Sequence, residues 1–282
     1  MQSWVILVLI YGLAKGFREA LKKKALEKNS ILEVLFFYTF IAFLFILGDA
    51  KEAAAMPPLY LVPVFIKSAL IVAAWLCAFH SIAHLPISLY GILDLARVFF
   101  ASALGVIVLH EKMTAATATG MFFIVLGMLL VNTHKKGAPA EHFAFRYTLL
   151  VLISCFLNAV SGLMDKVLTQ SVTSAQLQFW YMLFMTLLYL IILIVKRVKI
   201  NWRALRTNWW IPILSLLFII ADRCLFIANS NPESRVTVMT LLKQSSVVVT
   251  ILLGKALYNE KRIAFKLVCA GIVVLGLVIS VS

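Results

Sequence analysis

Ten apolar runs follow one another along this chain, each long enough to cross the roughly 30 Å hydrocarbon core of a bilayer, and they leave almost nothing between them. They span 2–24, 31–48, 59–81, 87–109, 114–132, 147–168, 175–196, 208–229, 235–257 and 263–281. The sequence thus predicts an all-α integral membrane protein of ten transmembrane helices, with no soluble domain and no long linker. Composition agrees: 63% of residues are hydrophobic and 13% charged, about half the charged fraction of a soluble domain. The first run has neither a basic leader nor a small-residue cleavage site, so it reads as a span and not as a signal peptide. The four cysteines (Cys77, Cys155, Cys224 and Cys269) fall inside spans without CxxC spacing and read as apolar filling. No metal site or cofactor is expected.

The ten runs are two sets of five. At a constant shift of 149, Gly105 meets Gly254, Glu111-Lys112 meets Glu260-Lys261, and Val125-Leu126-Gly127 meets Val274-Leu275-Gly276. At a shift of 146, Gly16 and Glu19 meet Gly162 and Asp165; at 147, Ala74, Cys77 and Phe79 meet Ala221, Cys224 and Phe226. The chain divides into a first repeat at 1–132, a connecting loop at 133–146 and a second repeat at 147–282. Five is odd, so the second repeat enters the membrane from the opposite side. Inverted repeats of this kind are the architecture of secondary transporters.

Ten spans, the five-plus-five repeat and a Glu-Lys step after spans four and nine resemble the EamA-type branch of the drug/metabolite transporter superfamily. The segments "LDLARVFFASALGVIVLHEKMT" and "LLKQSSVVVTILLGKALYNEKRI" are similar to that family's signature. The resemblance implies a central cavity lined by spans 1, 3, 4, 6, 8 and 9, with spans 5 and 10 at the periphery. Its members carry amino acids, amines, nucleotide sugars or sugar phosphates. One position departs from the family: its "WG" opening of span one is here Lys15-Gly16.

A net charge of +14 would suggest nucleic acid in a soluble chain; here basic residues mark cytoplasmic loops, and no nucleic-acid partner is expected. Loops 1–2, 3–4, 5–6, 7–8 and 9–10 hold fourteen basic residues, among them Lys22, Lys23, Lys24 and the run from Lys196 to Arg206. The other side holds four: Lys51, Lys112, Lys166 and Arg235. This places the protein in the inner (plasma) membrane with Gln2 and Ser282 extracytoplasmic, opposite to the family norm.

Charges also lie within the spans, where one at mid-bilayer costs about 2.5–3.5 kcal/mol even on the lenient insertion scale. Lys255 and Lys266 stand near span ends and are expected to reach the headgroups; Lys67 is left unassigned. Tyr11, Lys15, Arg18/Glu19 and Lys22 share one helix face, as do Tyr90, Asp94 and Arg97, and Lys243, Ser246 and Thr250. Faces this polar must meet one another or water. Five deep cations (Lys15, Arg18, Arg97, Arg223 and Lys243) stand against three acids (Glu19, Asp94 and Asp222). Internal pairs such as Lys15–Glu19 and Asp94–Arg97 are the structural alternative to a binding role.

The surplus of cations points to a secondary carrier for a small anionic or zwitterionic organic metabolite (a carboxylate, an amino acid or a phosphorylated compound), working by alternating access with proton coupling or exchange. Lys243 and Arg97, with Lys15, Arg18, Arg223, Tyr90 and Asn158, would contact substrate. Asp94, Glu19 or Asp222 would balance charge or take a coupling proton. Ser161, an i,i+3 neighbour of Asn158, and the titratable His80 and His84 are further polar candidates. Alternatives are a carrier of a lipid-linked phosphate substrate or an exporter of amines. No Walker A or HExxH motif supports ATP-driven transport or metalloenzyme chemistry. The carrier is expected to work as a monomer or a dimer.

Overall fold

The computed structural model describes residues 3–108, 115–133, 141–231, 234, 239, 242–243, 245–260 and 263–281. Glu111-Lys112, Lys135, Lys136, Arg235, Lys261, Arg262, Gln2 and Ser282 lie outside the described residues, so three of the four residues of the repeated Glu-Lys motif do too. Among the described residues every regular element is helical: α1 (Ser3–Leu26), α2 (Ile31–Phe45), α3 (Ala50–Ala54), α4 (Leu61–His84), α5 (Ile87–Leu93), α6 (Ala96–Val108), α7 (Ala115–Thr133), α8 (Glu141–Leu168), α9 (Ser174–Val195), α10 (Trp202–Arg206), α11 (Trp210–Ser230), α12 (Ser245–Tyr258) and α13 (Ile263–Val281).

Where their residues are described, the expected spans fall mainly on helix, and among the described residues five helical stretches are long and apolar enough to cross a membrane. A sixth qualifies if α2 and Leu47–Ala54, bent by 52°, form one span. α1 falls outside that group because charges stand in its middle, and α12 because the described part is short.

The second span of each half starts in the same way. Ser30 caps α2 and Thr173 caps α9, each accepting from the backbone N–H three residues on while Glu33 or Gln176 bonds back to the cap. These reciprocal capping boxes satisfy donors the first helical turn leaves open. Asn201 N–H also donates to Glu33 at 2.6 Å, tying the loop after α9 to the start of α2.

Packing is organised around a centre. α1 lies against α11 and α12, α4 against α8 and α9, and α6 against α8, while α7 and α13 pair at the edge. The 1–8 and 3–6 span contacts are equivalents under the repeat. At the α1–α12 crossing a side-chain carbon on Gly16 would sit 2.7 Å from the Ser246 carbonyl oxygen, and one on Gly12 3.2 Å from that of Leu242. Only glycine lets these backbones approach so closely.

The amphipathicity of α1 is inside out. Lys15, Arg18, Glu19 and Lys22 are buried, whereas Ile6, Ile10, Leu13 and Phe17 are exposed. Such a helix makes sense with lipid outside and a polar interior inside.

Candidate functional site

Span four is not one helix. α5 ends at Leu93 and α6 begins at Ala96, with Asp94 and Leu95 in a tight turn where Leu95 N–H reaches the Ile92 carbonyl and Arg97 N–H that of Asp94. Broken helices at membrane depth are tolerated where they face a cavity, and the Asp94 carboxylate stands at this break. Lys15 of α1 donates to its Oδ2 at 2.6 Å and Arg97 of α6 to its Oδ1 at 2.9 Å. The Cys155 thiol of α8 lies 3.7 Å from Oδ1. One carboxylate thus serves two cations.

These groups border a cavity of about 100 Å³, lined by α1, α4, span four, α8, α11 and the segment holding Met239 and Lys243. Among the described residues its walls carry six basic side chains, Lys15, Arg18, Lys22, Lys67, Arg97 and Lys243, and three acidic ones, Glu19, Asp165 and Asp222. With Asp94 the acids number four, so two positive charges remain over. Lys22 pairs with Glu19 at 2.7 Å and Lys67 with Asp165 at 3.1 Å. Arg18 lies 3.7 Å from Asp222, too far for a hydrogen bond, and rests over Phe218 and Trp75 at 5.0 and 5.9 Å. Lys243 has no ion pair among the described residues; its ammonium sits 5.7 Å from the Tyr11 ring.

Among the described residues several buried polar atoms around this space have no hydrogen-bond partner: Arg18 Nε and Nη1, Arg97 Nε and Ser161 Oγ as donors, and Glu19 Oε2 as an acceptor. Leaving such groups unmet inside a protein is costly. Clustered around one cavity, they describe what a ligand there would satisfy.

Lys15, Arg18, Glu19, Tyr90, Arg97, Asn158, Asp222 and Lys243 all line the cavity, and Asp94 backs it. Asn158 turns its amide onto the Ser154 carbonyl at 2.7 Å. Arg223 does not belong. One residue along α11 from Asp222, it points to the opposite side, where it pairs with Asp49 and Gln178 beside the bend after α2. Ser246 and Thr250 are buried, but Thr250 bonds the Ser246 and Gly16 carbonyls, so this stripe packs on α1 rather than lining the cavity. The expected Lys15–Glu19 pair is replaced by Lys15–Asp94 and Lys22–Glu19. Lys22, counted above with the loops, is inside, 2% exposed. Lys67 and Asp165 join the cavity as a pair. His80 and His84 face outward, bonded to the carbonyls of Leu76 and His80.

Lys266, expected at the headgroups, turns inward. A left-handed Asn259 (φ 49°) ends α12, letting Glu260 N–H reach the Gly254 carbonyl. The Glu260 carboxylate then crosses to the other half. It accepts from Ile87 N–H at 2.6 Å, Ser88 N–H at 3.3 Å and the Ser88 hydroxyl, while Lys266 binds it at 2.9 Å. A glutamate of the second repeat thereby caps α5, the first piece of span four.

Paired helical repeats around a buried charged cavity, with apolar outer faces, define a multi-pass membrane protein of the transporter class. The chain belongs to the EamA-like transporter family, whose profile matches residues 2–133 and again 145–282. Members of this family are membrane transporters rather than enzymes. A comparison with curated proteins gave no match. Among solved structures, one titled only "Crystal structure of protein" is 13% identical, covers 96% of this chain and 95% of its own, and superposes with a TM-score of 0.66. That likeness concerns the fold.

Proposed function

We propose that the protein is a secondary carrier for a small anionic or zwitterionic organic metabolite, such as a carboxylate or an amino acid, working by alternating access between its two repeats. The observation that carries this reading is Lys243: a cation on the wall of a cavity that already holds more bases than acids, without an acidic partner among the described residues. An unpaired buried charge is strongly unfavourable, so the empty carrier gains when an anion enters. The unpartnered Glu19 Oε2 offers an acceptor to an ammonium group, which favours a zwitterion over a simple anion.

Proton coupling or counter-exchange would drive transport, and the coupling proton would use an acid of this cavity. Glu19, Asp94, Asp165 and Asp222 are the candidates, each buried. We place the protein in the plasma membrane with Arg203 on the cytoplasmic face, as the loop charges ask. The function is tested in proteoliposomes loaded with carboxylates, amino acids and amines: uptake or exchange of an anion or zwitterion, lost in Lys243→Ala, is expected. Transport of amines alone would overturn the reading.

A further inference from the structure

The two halves carry equivalent positions, and at one of them the chemistry differs. Lys15 of span one and Asp94 of span four pair at 2.6 Å. Shifting span one by 146 turns Lys15 into Ser161 of span six; shifting span four by 149 turns Asp94 into Lys243 of span nine. A closed ion pair in one half therefore corresponds, in the other, to a hydroxyl and a cation. Both Ser161 and Lys243 line the cavity. Ser161 is 1% exposed and its Oγ has no partner among the described residues, and Lys243 has no ion pair among them. Space is available there as well: Gly16, after Lys15, is pressed against α12, whereas nothing lies within 4 Å of a side-chain carbon built on its mate Gly162.

We propose that a carboxylate of the substrate binds between Ser161 and Lys243, supplying in the second half the acid that Asp94 supplies in the first. The proposal rests on the reading of the protein as an anion carrier and specifies where, and as what group, the anion binds. Lys243 gives the charge and the Ser161 hydroxyl one hydrogen bond. The substrate acts as a removable counter-ion, so binding completes a match that the protein's own side chains leave open. A resident carboxylate at 161 should then do the substrate's work and exclude it.

The test uses the full chain in detergent, with acetate, succinate, L-glutamate and inorganic phosphate as probes and thermal unfolding as readout. At least one carboxylate is expected to raise the unfolding temperature of the wild type more than phosphate does at equal concentration. Ser161→Asp should raise that of the ligand-free protein, lose the gain when combined with Lys243→Ala, and cut the carboxylate response at least about tenfold. Ser161→Ala, which asks nothing of folding, should weaken binding about three- to tenfold, the worth of one hydrogen bond. A carboxylate response unchanged in both Ser161 variants overturns this subsite while leaving the anion carrier standing. Stronger stabilisation by phosphate overturns the choice of carboxylate. No response of the wild type to any of these anions means that the carrier reading itself has failed.

Discussion

Among the described residues two buried clusters of charge join the halves of the molecule, and they are built on opposite rules. At the end of α12, Glu260 receives two backbone N–H groups, the Ser88 hydroxyl and the Lys266 ammonium, so acid and donors match. In the central cavity, among the described residues, six cations meet four acids, one carboxylate serves two bases, and donors of Arg18, Arg97 and Ser161 are left over. A cluster whose partners are all supplied by the chain can only hold the fold. One whose partners are incomplete has something to gain from a guest. Substitutions should therefore separate the two, with stability following the first and binding the second.

The largest effect is expected at the matched cluster. Glu260→Ala removes the cap of α5 and leaves Lys266 half-buried without an acid. It should cost about 2–3 kcal/mol, less than the about 3–5 kcal/mol of a fully buried pair because water reaches part of the site. Thermal unfolding measures this, and a loss below about 0.5 kcal/mol would show that the cluster does not hold the halves. Acid gives the same contrast. Burial pushes the Glu260 carboxyl up, but the hydrogen bonds from Ser88 and Lys266, the Lys266 charge and the Ile87 N–H outweigh it and hold it below the ordinary glutamate range. A carboxyl lowered by folding adds stability that is complete above its unfolded value and is lost as the pH falls through its folded one. The wild type should lose stability below about pH 4, and Glu260→Gln should lose less over the same interval.

In the cavity the order reverses. Asp94→Asn takes the shared charge from Lys15 and Arg97 but keeps an amide oxygen that accepts from one of them. It should therefore destabilise the ligand-free protein by about 1–3 kcal/mol, less than complete removal of the acid, while anion binding falls far less than it does in Lys243→Ala. If Asp94→Asn instead abolishes binding while leaving stability intact, the aspartate contacts a cationic cargo. Replacing Glu19, Asp94, Asp165 and Asp222 one at a time by Asn or Gln should yield at least one variant that exchanges substrate but no longer accumulates it against a proton gradient. Four variants that all accumulate normally would place coupling elsewhere.

The smallest effect is expected at Arg223, which faces away from the cavity toward Asp49 and Gln178. Arg223→Ala should leave transport unchanged and cost less than about 1 kcal/mol, since this pair is partly exposed and stands away from the cavity. A loss of transport would return Arg223 to the substrate path. Orientation is checked with single cysteines: one in place of Ala54 should react with an impermeant maleimide in intact cells and one in place of Arg203 should not. The opposite labelling would reverse the topology.

How far the sequence led depends on the scale. Hydropathy located the helices wherever the spans are described, because twenty-residue apolar runs admit little else. The helical stripes of α1 and of span four identified five of the nine charged side chains that line the cavity among the described residues, since a polar face among apolar residues has to turn inward. Adjacent residues were harder. Asp222 and Arg223 are about 100° apart on one helix, and composition does not say which of them faces the centre. Asp165 was legible through its repeat mate Glu19, yet its place near the end of its span hid its depth. Partners were the least legible: Lys15 finds Asp94, 79 residues away, rather than Glu19 on its own face. The break at Asp94 and the reach of Glu260 to α5 belong to tertiary packing. The capping boxes at Ser30 and Thr173 were written as S/T-x-x-E/Q, and helical periodicity alone passes over them.

The central claim is that Lys243 waits for an anion, and equilibrium binding of a transported carboxylate to purified wild type, Lys243→Ala, Lys243→Arg and Asp94→Asn tests it most directly. Binding should vanish in Lys243→Ala, return only in part in Lys243→Arg, whose planar fork does not reproduce a compact ammonium, and persist in Asp94→Asn. Wild-type affinity in Lys243→Ala together with its loss in Asp94→Asn would contradict the account and make the cargo a cation.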